Sequence, residues 1–316
     1  MELTRVFGPV PSRRLGRSVG INNIPPKICT YSCVYCQLGK SLDLRLDRQP
    51  FYDPGLLAAE TEDKLKNART HKEPIDYLTI VSEGEPTLDA GLGNLIDCLS
   101  PLGVKIAVIT NSTLLSLGGV RRDLCRADWV SVKVDTVDEK IWRKIDRPHP
   151  KIRFNEMLDG IGLFSEAYAG TLVTETMLVK GLNDTVTSLE NTAGFISGLN
   201  SGLSYISIPT RPPAMPWVQP PDPGQINQAY GLFTDQGVNA EYLIGYEGNQ
   251  FAYTGDIEAD ILSITAVHPM REDAVSAYLE KAGGSFSDIE QLVQDNKILV
   301  SEYKGSRFYL RPLAGR

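Results

Sequence analysis

Short apolar, β-branched runs alternate with longer amphipathic stretches along most of the chain. The runs predict strands at residues 18–21, 75–81, 104–110, 129–134, 172–179 and 203–208, and the stretches between them predict helices at 56–68, 88–102, 114–126, 154–168 and 185–199. Strands that alternate with helices pair in parallel through right-handed crossovers. Because six units are too few to close a full strand–helix barrel, we expect an α/β fold with a partial (β/α)6 barrel or an open wound sheet.

The carboxy-terminal part of the chain has a different pattern. Residues 210–224 are rich in proline and predict an ordered loop or linker. Residues 271–281 predict a helix ended by glycine, a capping box begins a second helix at Ser285, and residues 298–303 and 307–310 predict a hairpin. Helix, helix and hairpin are typical of a small winged helix. We therefore predict two domains, residues 1–245 and 246–316.

Composition excludes several classes of protein. The 316 residues are 42% hydrophobic and 22% charged, which is ordinary for a globular chain and unlike a disordered or fibrous one. The apolar runs are far shorter than a membrane span requires. The amino terminus lacks a basic-then-apolar signal pattern, so we expect a cytoplasmic protein with no membrane partner.

The net charge of −7 is spread unevenly. Residues 1–50 carry a balance of +5, which leaves −12 for the remainder. An acidic chain is not a general nucleic-acid binder, but its basic amino-terminal segment could receive an anionic ligand. The second predicted helix of the winged pattern is acidic, whereas a helix that reads duplex DNA is basic. We therefore do not expect duplex DNA as a partner; the tail instead suggests peptide docking or a lid.

Three of the five cysteines, Cys29, Cys33 and Cys36, lie within eight residues. An odd cysteine count in a long chain argues against a disulfide framework. A structural zinc site is the alternative, but it needs a fourth soft ligand, and none lies nearby in sequence. Iron–sulfur chemistry fits better, because thiolates are the preferred cluster ligands. Cys98 and Cys125 fall in predicted helices, where we expect them to be small buried apolar residues.

The Cys-x3-Cys-x2-Cys spacing, with Tyr35 before the last cysteine, resembles the radical S-adenosylmethionine superfamily. The resemblance implies a six-stranded partial barrel and a [4Fe–4S] cluster whose open iron binds the amino and carboxylate groups of S-adenosylmethionine. It also implies one-electron cleavage of the sulfonium, which gives a 5′-deoxyadenosyl radical that abstracts hydrogen from the substrate. An electron donor such as flavodoxin or ferredoxin would then be a partner.

Further motifs of this family follow in order. Residues 82–87 resemble its Gly-Gly-Glu-Pro element, which binds the methionyl ammonium, although Glu83 stands where the first glycine would be. In the family, polar residues at the ends of the next strands contact the ribose and the methionine carboxylate; here these are Asn111, Ser131 and Asp135. Tyr35 and Ile208 would flank the adenine. The cofactor-binding residues that the resemblance implies are Tyr35, Gly84, Glu85, Pro86, Asn111, Ser131, Asp135 and Ile208.

Residues 7–16, 33–39 and 146–149 resemble the branch that includes the wyosine-type transfer-RNA synthases. Those enzymes carry further cysteines for a second cluster, and this chain has no cysteine before Cys29, so their tricyclic guanine-forming reaction does not carry over. A related transfer-RNA modification stays an alternative. The substrate, whether RNA, a peptide or a small metabolite, is left open, and no catalytic residue is assigned. Candidate substrate contacts are Arg13, Arg14, Arg17, His149 and Arg211.

A protein of another class would account for part of the pattern. An iron–sulfur regulator could bind DNA through the winged helix. Such a regulator would not need the cofactor-like elements at residues 82–87 and 110–112. These elements favour an enzyme.

Overall fold

The strand–helix alternation predicted from the sequence is present in the structure, a computed structural model that describes residues 5–245, 251 and 253–312. The strands are β1 Val6–Ser12, β2 Gly16–Ile21, β3 Ile28–Cys29, β4 Asp43–Leu44, β5 Tyr77–Ile80, β6 Lys105–Thr110, β7 Trp129–Lys133, β8 Thr171–Met177, β9 Leu203–Ser207, β10 Ala240–Leu243, β11 Met270–Arg271, β12 Leu299–Tyr303 and β13 Ser306–Leu310. The helices are α1 Pro54–Thr70, α2 Leu92–Leu99, α3 Gly118–Leu124, α4 Glu139–Ile145, α5 Phe154–Ala167, α6 Val186–Ser197, α7 Pro223–Asp235, α8 Ile257–Val267, α9 Glu272–Ala282 and α10 Phe286–Gln294.

The main sheet has eight strands in the order β1-β2-β5-β6-β7-β8-β9-β10. From β2 onward every neighbouring pair is parallel, and only β1 is antiparallel to its neighbour. The six predicted strands are β2 and β5 to β9, so the α/β class and the partial barrel are confirmed. The prediction missed the two edge strands: β1 contains two prolines, which an edge strand tolerates, and β10 has four residues.

Strand residues alternate between the helices and the barrel interior. In β7 and just beyond it, Val130, Val132 and Val134 are buried in the core shared with the helices. Trp129 belongs to a separate interior cluster with Ala107, Val173 and Tyr205. The interior therefore receives the odd-numbered residues of β7, and polar side chains occupy it towards the carboxyl ends of the strands.

Cys98 and Cys125 are both exposed, so their prediction as buried residues is wrong. The buried side of α2 carries Leu92, Leu95, Ile96 and Leu99, and Cys98 lies on the opposite side. Cys125 directly follows the last residue of α3, and its neighbour Leu124 takes the buried position. Helical periodicity, counted from these leucines, places both thiols in solvent.

The carboxy-terminal elements follow the predicted order. Gly283 ends α9 in the left-handed conformation, and Ser285 and Asp288 form the capping box that begins α10. β12 and β13 form the hairpin, and β11, preceded by α8, adds a third strand. The winged-helix assignment stays a prediction, as does the boundary after residue 245, because residues 246–250 lie outside the described part.

These elements pack on the edge of the main sheet. Their apolar core includes Phe7 and Val10 of β1 together with residues of α8, α9 and α10. The proline-rich segment is a loop as predicted, except that α7 begins at Pro223. Within the described residues, the helices are all too short or too polar to traverse a lipid bilayer.

Gly160 and Gly162 of α5 provide a matched test of the packing. A Cβ on Gly160 would lie 2.4 Å from the Ser116 backbone nitrogen, whereas nothing lies within 4 Å of one on Gly162. We expect Gly160→Ala to lower the free energy of unfolding by about 1–3 kcal/mol through overpacking. Gly162→Ala should raise it by up to about 1 kcal/mol through helix propensity. Urea unfolding measures both, and equal effects would contradict the close contact of α5 with residues 115–116.

Candidate active site

A cavity of about 320 Å³ opens at the carboxyl ends of the parallel strands. Ligands of such sheets bind at this edge, because the loops that follow the strands converge there. One wall is the cysteine loop, and the next is the turn after β5. The remaining walls come from the ends of β6 to β10 and from residues 208–211.

The turn after β5 holds the cysteine loop by backbone contacts. The Glu85 amide donates to the Ile28 carbonyl at 3.1 Å, and the Lys27 amide donates to the Glu83 carbonyl at 2.8 Å. A Cβ on Gly84 would lie 1.8 Å from the Ile28 carbonyl oxygen. Only glycine therefore fits between the turn and the loop, which accounts for one of the motif positions.

The segment at residues 145–149 supports the loop from behind. The Val34 amide donates to the Ile145 carbonyl at 2.8 Å, and the His149 amide donates to the Thr30 carbonyl at 2.9 Å. His149 therefore supports the loop through its backbone and does not line the cavity. His149 as a substrate contact stays a prediction, and the backbone of segment 146–149 positions the cysteine loop.

All three loop cysteines are half-buried and line the cavity. Burial and the Glu85 carboxylate raise the pKa of Cys29 to about 12, and burial and Asp146 raise the pKa of Cys33. Among the described residues, no three His, Cys, Asp or Glu side chains are grouped to hold a single metal ion. Three thiols of one loop around one cavity fit a cationic cluster, which would lower their pKa and replace their protons.

The Glu85 carboxylate is buried and accepts four hydrogen bonds. Thr87 donates from its amide and hydroxyl at 3.1 and 2.5 Å, the Thr110 hydroxyl donates at 2.6 Å, and the Asn111 amide donates at 2.7 Å. The Asn111 side-chain amide then donates to the Thr30 hydroxyl at 2.7 Å. Glu85 and Asn111 both line the cavity, and together they connect the ends of β5 and β6 to the cysteine loop.

Tyr35 lines the cavity, and its hydroxyl donates to Asp135. Asp135 also accepts from the Met177 amide at 2.7 Å, which fixes the carboxylate behind the wall. Asp146 lies beside it, and burial and the Asp135 carboxylate raise the pKa of Asp146 well above its ordinary value. The Cys33 thiol lies 3.4 Å from Asp146, so this acidic pair connects Tyr35 to the cysteine loop.

The remaining predicted cofactor residues divide into two groups. Gly84 and Ile208 line the cavity. Pro86 is buried behind the turn, where its carbonyl accepts from Asn23 at 3.0 Å. Ser131 is buried in the interior of the sheet, two residues before the cavity-lining Lys133. Neither Pro86 nor Ser131 lines the cavity.

Three charged side chains meet in the barrel interior. Arg14 and Lys133 both pair with Glu175, the lysine at 2.8 Å. Although burial opposes ionisation, Lys133 and Arg14 hold the pKa of Glu175 far below its ordinary value. Arg14 is one of the predicted substrate contacts, whereas Glu175 was not predicted. Glu175 lies in β8 and, like Val173 and Met177, faces the barrel interior.

Two of the other candidate arginines line the cavity. Arg13 donates to the carbonyls of Leu243 and Gly245, both at 2.6 Å, and Arg211 lies 2.6 Å from a ring nitrogen of His268. Arg17 does not line the cavity. It pairs with Glu73 outside the barrel, because it lies on the same side of β2 as Val19 and Ile21. Its role as a substrate contact stays a prediction.

Residues 23–195 of the chain match the Radical SAM superfamily. The chain therefore belongs to the radical S-adenosylmethionine superfamily, whose members use a [4Fe–4S] cluster and S-adenosylmethionine. It is an S-adenosylmethionine-dependent radical enzyme, and the predicted class and cofactors are confirmed.

Sequence relatives place the chain within a narrower group. It is 42% identical to the UPF0026 protein MJ1312 of Methanocaldococcus jannaschii, over 99% of this chain and 98% of that protein. It is 37% identical to a UPF0026 protein of Helicobacter pylori strain J99, over 67% of this chain and 68% of that protein. The chain thus belongs to the same family as these UPF0026 proteins.

Solved structures share the fold at low identity. A radical SAM methyltransferase from Sphaerobacter thermophilus matches 72% of this chain and 66% of its own, with a TM-score of 0.51 and 15% identity. Streptococcus suis SuiB bound to S-adenosylmethionine matches 71% of this chain and 49% of its own, with a TM-score of 0.50 and 16% identity. These matches support the partial barrel and carry nothing about the substrate.

The buried charges in the barrel give a stability prediction. Glu175→Gln leaves Arg14 and Lys133 without their shared carboxylate and should lower the free energy of unfolding by about 3–5 kcal/mol at neutral pH. The matched control, Glu139→Gln, breaks an exposed pair with Arg143 and should change it by about 0.5 kcal/mol.

The effect of Glu175→Gln should depend on pH. The pKa of Glu175 is lowered in the folded state, so its stabilisation is present above the unfolded value of about 4.3. That stabilisation is lost as the pH falls through the folded value. Urea unfolding of both variants against pH measures this, and a difference from wild type that stays constant into acid would contradict the assignment.

Proposed function

We propose that Cys29, Cys33 and Cys36 hold one [4Fe–4S] cluster and that the chain uses it with S-adenosylmethionine to abstract hydrogen from a substrate. The observation that carries the proposal is the shared cavity: the three cysteines line it together with Gly84 and Glu85. When bound, the cluster and S-adenosylmethionine supply a carbon radical by one-electron cleavage of the sulfonium. The protein orients the reactants and excludes water.

The residues around the cysteines would hold the cofactor. Gly84, Glu85, Asn111 and Ile208 line the cavity, and Tyr35 presents its ring there while Asp135 accepts from its hydroxyl. We assign these six residues to the S-adenosylmethionine site, either in contact with the cofactor or, as for Asp135, holding a residue that contacts it. Pro86 and Ser131 lie behind the cavity wall and would support it only through packing. An electron donor such as flavodoxin or ferredoxin would supply the electron.

The wall away from the cysteines would receive the substrate. Arg13, Arg14 and Arg211 line this part of the cavity, and Lys133 adds a fourth cation. Glu175 offsets part of this charge. We keep the three arginines as substrate contacts, with RNA, a peptide and a small metabolite as the substrate classes to be compared.

Cleavage of the cofactor tests the function directly. Anaerobically reconstituted protein, given dithionite and S-adenosylmethionine, should form methionine and 5′-deoxyadenosine, because a reduced cluster held by the three cysteines would supply the electron that cleaves the sulfonium. Liquid chromatography with mass spectrometry measures both products. An intact cluster that yields no 5′-deoxyadenosine would rule out the enzymatic proposal.

The cysteine ligands can be tested separately from turnover. Cys33→Ala should abolish the [4Fe–4S] absorption and the electron-resonance signal of the reduced cluster, because three thiolates are needed to hold it. The matched control Cys98→Ala removes an exposed thiol outside the cavity and should leave both signals at wild-type intensity. A full cluster in Cys33→Ala would show that the ligand assignment is wrong.

A further inference from the structure

A basic segment lies on the outer side of the cysteine loop. Residues 139–153, which form α4 and the turn after it, contain six basic and two acidic side chains, although the whole chain has a net charge of −7. Five of the cations are exposed and Arg147 is half-buried; the six are Lys140, Arg143, Lys144, Arg147, Lys151 and Arg153. We call the surface that these six side chains form the α4 face.

Most of the positive charge on the α4 face is not neutralised within the chain. Glu139 pairs with Arg143 at 2.6 Å, and Glu156 pairs with Arg153 at 3.0 Å. The other four cations have no ion pair within the described part of the chain; they are Lys140, Lys144, Arg147 and Lys151. A surface with this excess of positive charge complements an acidic partner.

Only the helix α4 separates its exposed cations from the cysteine loop. Lys144 lies on the exposed side of α4, whereas Trp142 and Ile145 are buried on the other side. The Trp142 ring nitrogen donates to the Tyr31 hydroxyl at 2.7 Å, and Ile145 packs with Val34. Because a helix with its side chains is about 10–12 Å across, a protein docked on the α4 face would come within about one helix diameter of the loop.

The turn after α4 comes closer to the cysteines than the helix does. The Ser32 amide donates to the carbonyls of Asp146 and Arg147 at 3.0 and 3.2 Å. The sulfur of the next residue, Cys33, lies 3.4 Å from the Asp146 carboxylate. Arg147 therefore directly follows a residue that is in contact with a proposed cluster ligand. The α4 face thus offers a short path from solvent to the cysteines.

The α4 face and the cavity lie on different sides of the cysteine loop. The three cysteines line the cavity, whereas none of the six cations of the α4 face does. S-adenosylmethionine and the substrate would occupy the cavity during turnover, so a reductant needs access from another side. A nucleic acid bound to the α4 face would have to pass around the loop to present a base to the cavity. An electron donor needs only to approach the cysteines, which favours a donor over RNA.

We propose that the α4 face docks an acidic one-electron carrier protein, of the flavodoxin or ferredoxin kind, that reduces the cluster. The inference rests on the proposed function and adds the place at which its electron enters. In this step the carrier loses one electron and the oxidised cluster gains it, and no bond forms or breaks. The exposed lysines of the α4 face would meet carboxylates of the carrier, which steers the encounter.

Reduction by a flavodoxin tests the assignment. Fully reduced flavodoxin is mixed in excess with the cluster-loaded enzyme, and the electron-resonance signal of the reduced cluster is measured in samples frozen at successive times. Lys144→Glu and Lys151→Glu should each lower the second-order rate constant at least about threefold, and together at least about tenfold, because repulsion replaces attraction. Salt should slow the wild type most, since the Debye length falls from about 30 Å at about 0.01 M to about 8 Å at about 0.15 M ionic strength.

Two controls and a binding measurement isolate docking from other effects. Lys105→Glu makes the same change in charge at the start of β6, at the opposite edge of the sheet from the cysteines, and should change the rate constant less than about 1.5-fold. Photoreduced 5-deazaflavin, a small uncharged reductant, should reduce every variant at the wild-type rate. Biolayer interferometry with oxidised flavodoxin measures binding without electron transfer, and this binding should weaken in both lysine variants.

The outcomes separate this inference from the proposed function. If deazaflavin-reduced enzyme cleaves S-adenosylmethionine and flavodoxin reduces the lysine variants as fast as wild type, the docking assignment is wrong and the enzymatic proposal stands. Slower reduction of these variants by both reductants also overturns the assignment, because the substitutions would then have disturbed the loop.

Transfer RNA provides the comparison with a nucleic-acid partner. If the lysine substitutions weaken binding of total transfer RNA but leave reduction by flavodoxin unchanged, the α4 face binds RNA and the assignment of a carrier protein is wrong. If the wild-type protein, reduced by deazaflavin with its cluster intact, cleaves no S-adenosylmethionine, the proposed function fails and this inference fails with it.

Discussion

The Glu85 carboxylate is the interaction on which the site depends. It joins its own turn to the end of β6 through Thr110 and Asn111, and Asn111 continues the network to Thr30 in the cysteine loop. Burial raises the pKa of Glu85, while the hydrogen bonds from Thr110, Thr87 and Asn111 favour its ionised form. Because a buried carboxylate is tolerated only when its acceptors are filled, the strand ends and the loop are held in one arrangement.

The sequence was informative where a pattern repeats or a spacing is rare. The parallel strands and the three cysteines of the loop could be predicted, because alternation and close thiol spacing are local properties. Contacts between segments that are distant in the sequence could not be predicted. Glu175 belongs to the site only because Arg14, from the turn between β1 and β2, and Lys133, from β7, reach it inside the barrel. The short helix α4 was also missed.

Two of the predicted substrate contacts, Arg17 and His149, lie outside the described cavity. Arg17 was grouped with Arg14, yet strand parity places it with Val19 and Ile21 on the side that faces the helices. His149 lies next to Pro148 and Asp146 in a segment whose backbone pairs with the cysteine loop. Its side chain could have been assigned only with knowledge of that pairing, which no local pattern records.

The bonds that fix the cysteine loop run mainly through backbone groups, from Ile28 and Thr30 to Val34. Few of them use a sulfur atom. The scaffold around the thiols is therefore held by contacts that involve no metal, in contrast to small zinc domains that are unfolded without their metal. If the proposed cluster binds here, it would enter a loop whose backbone contacts do not depend on it.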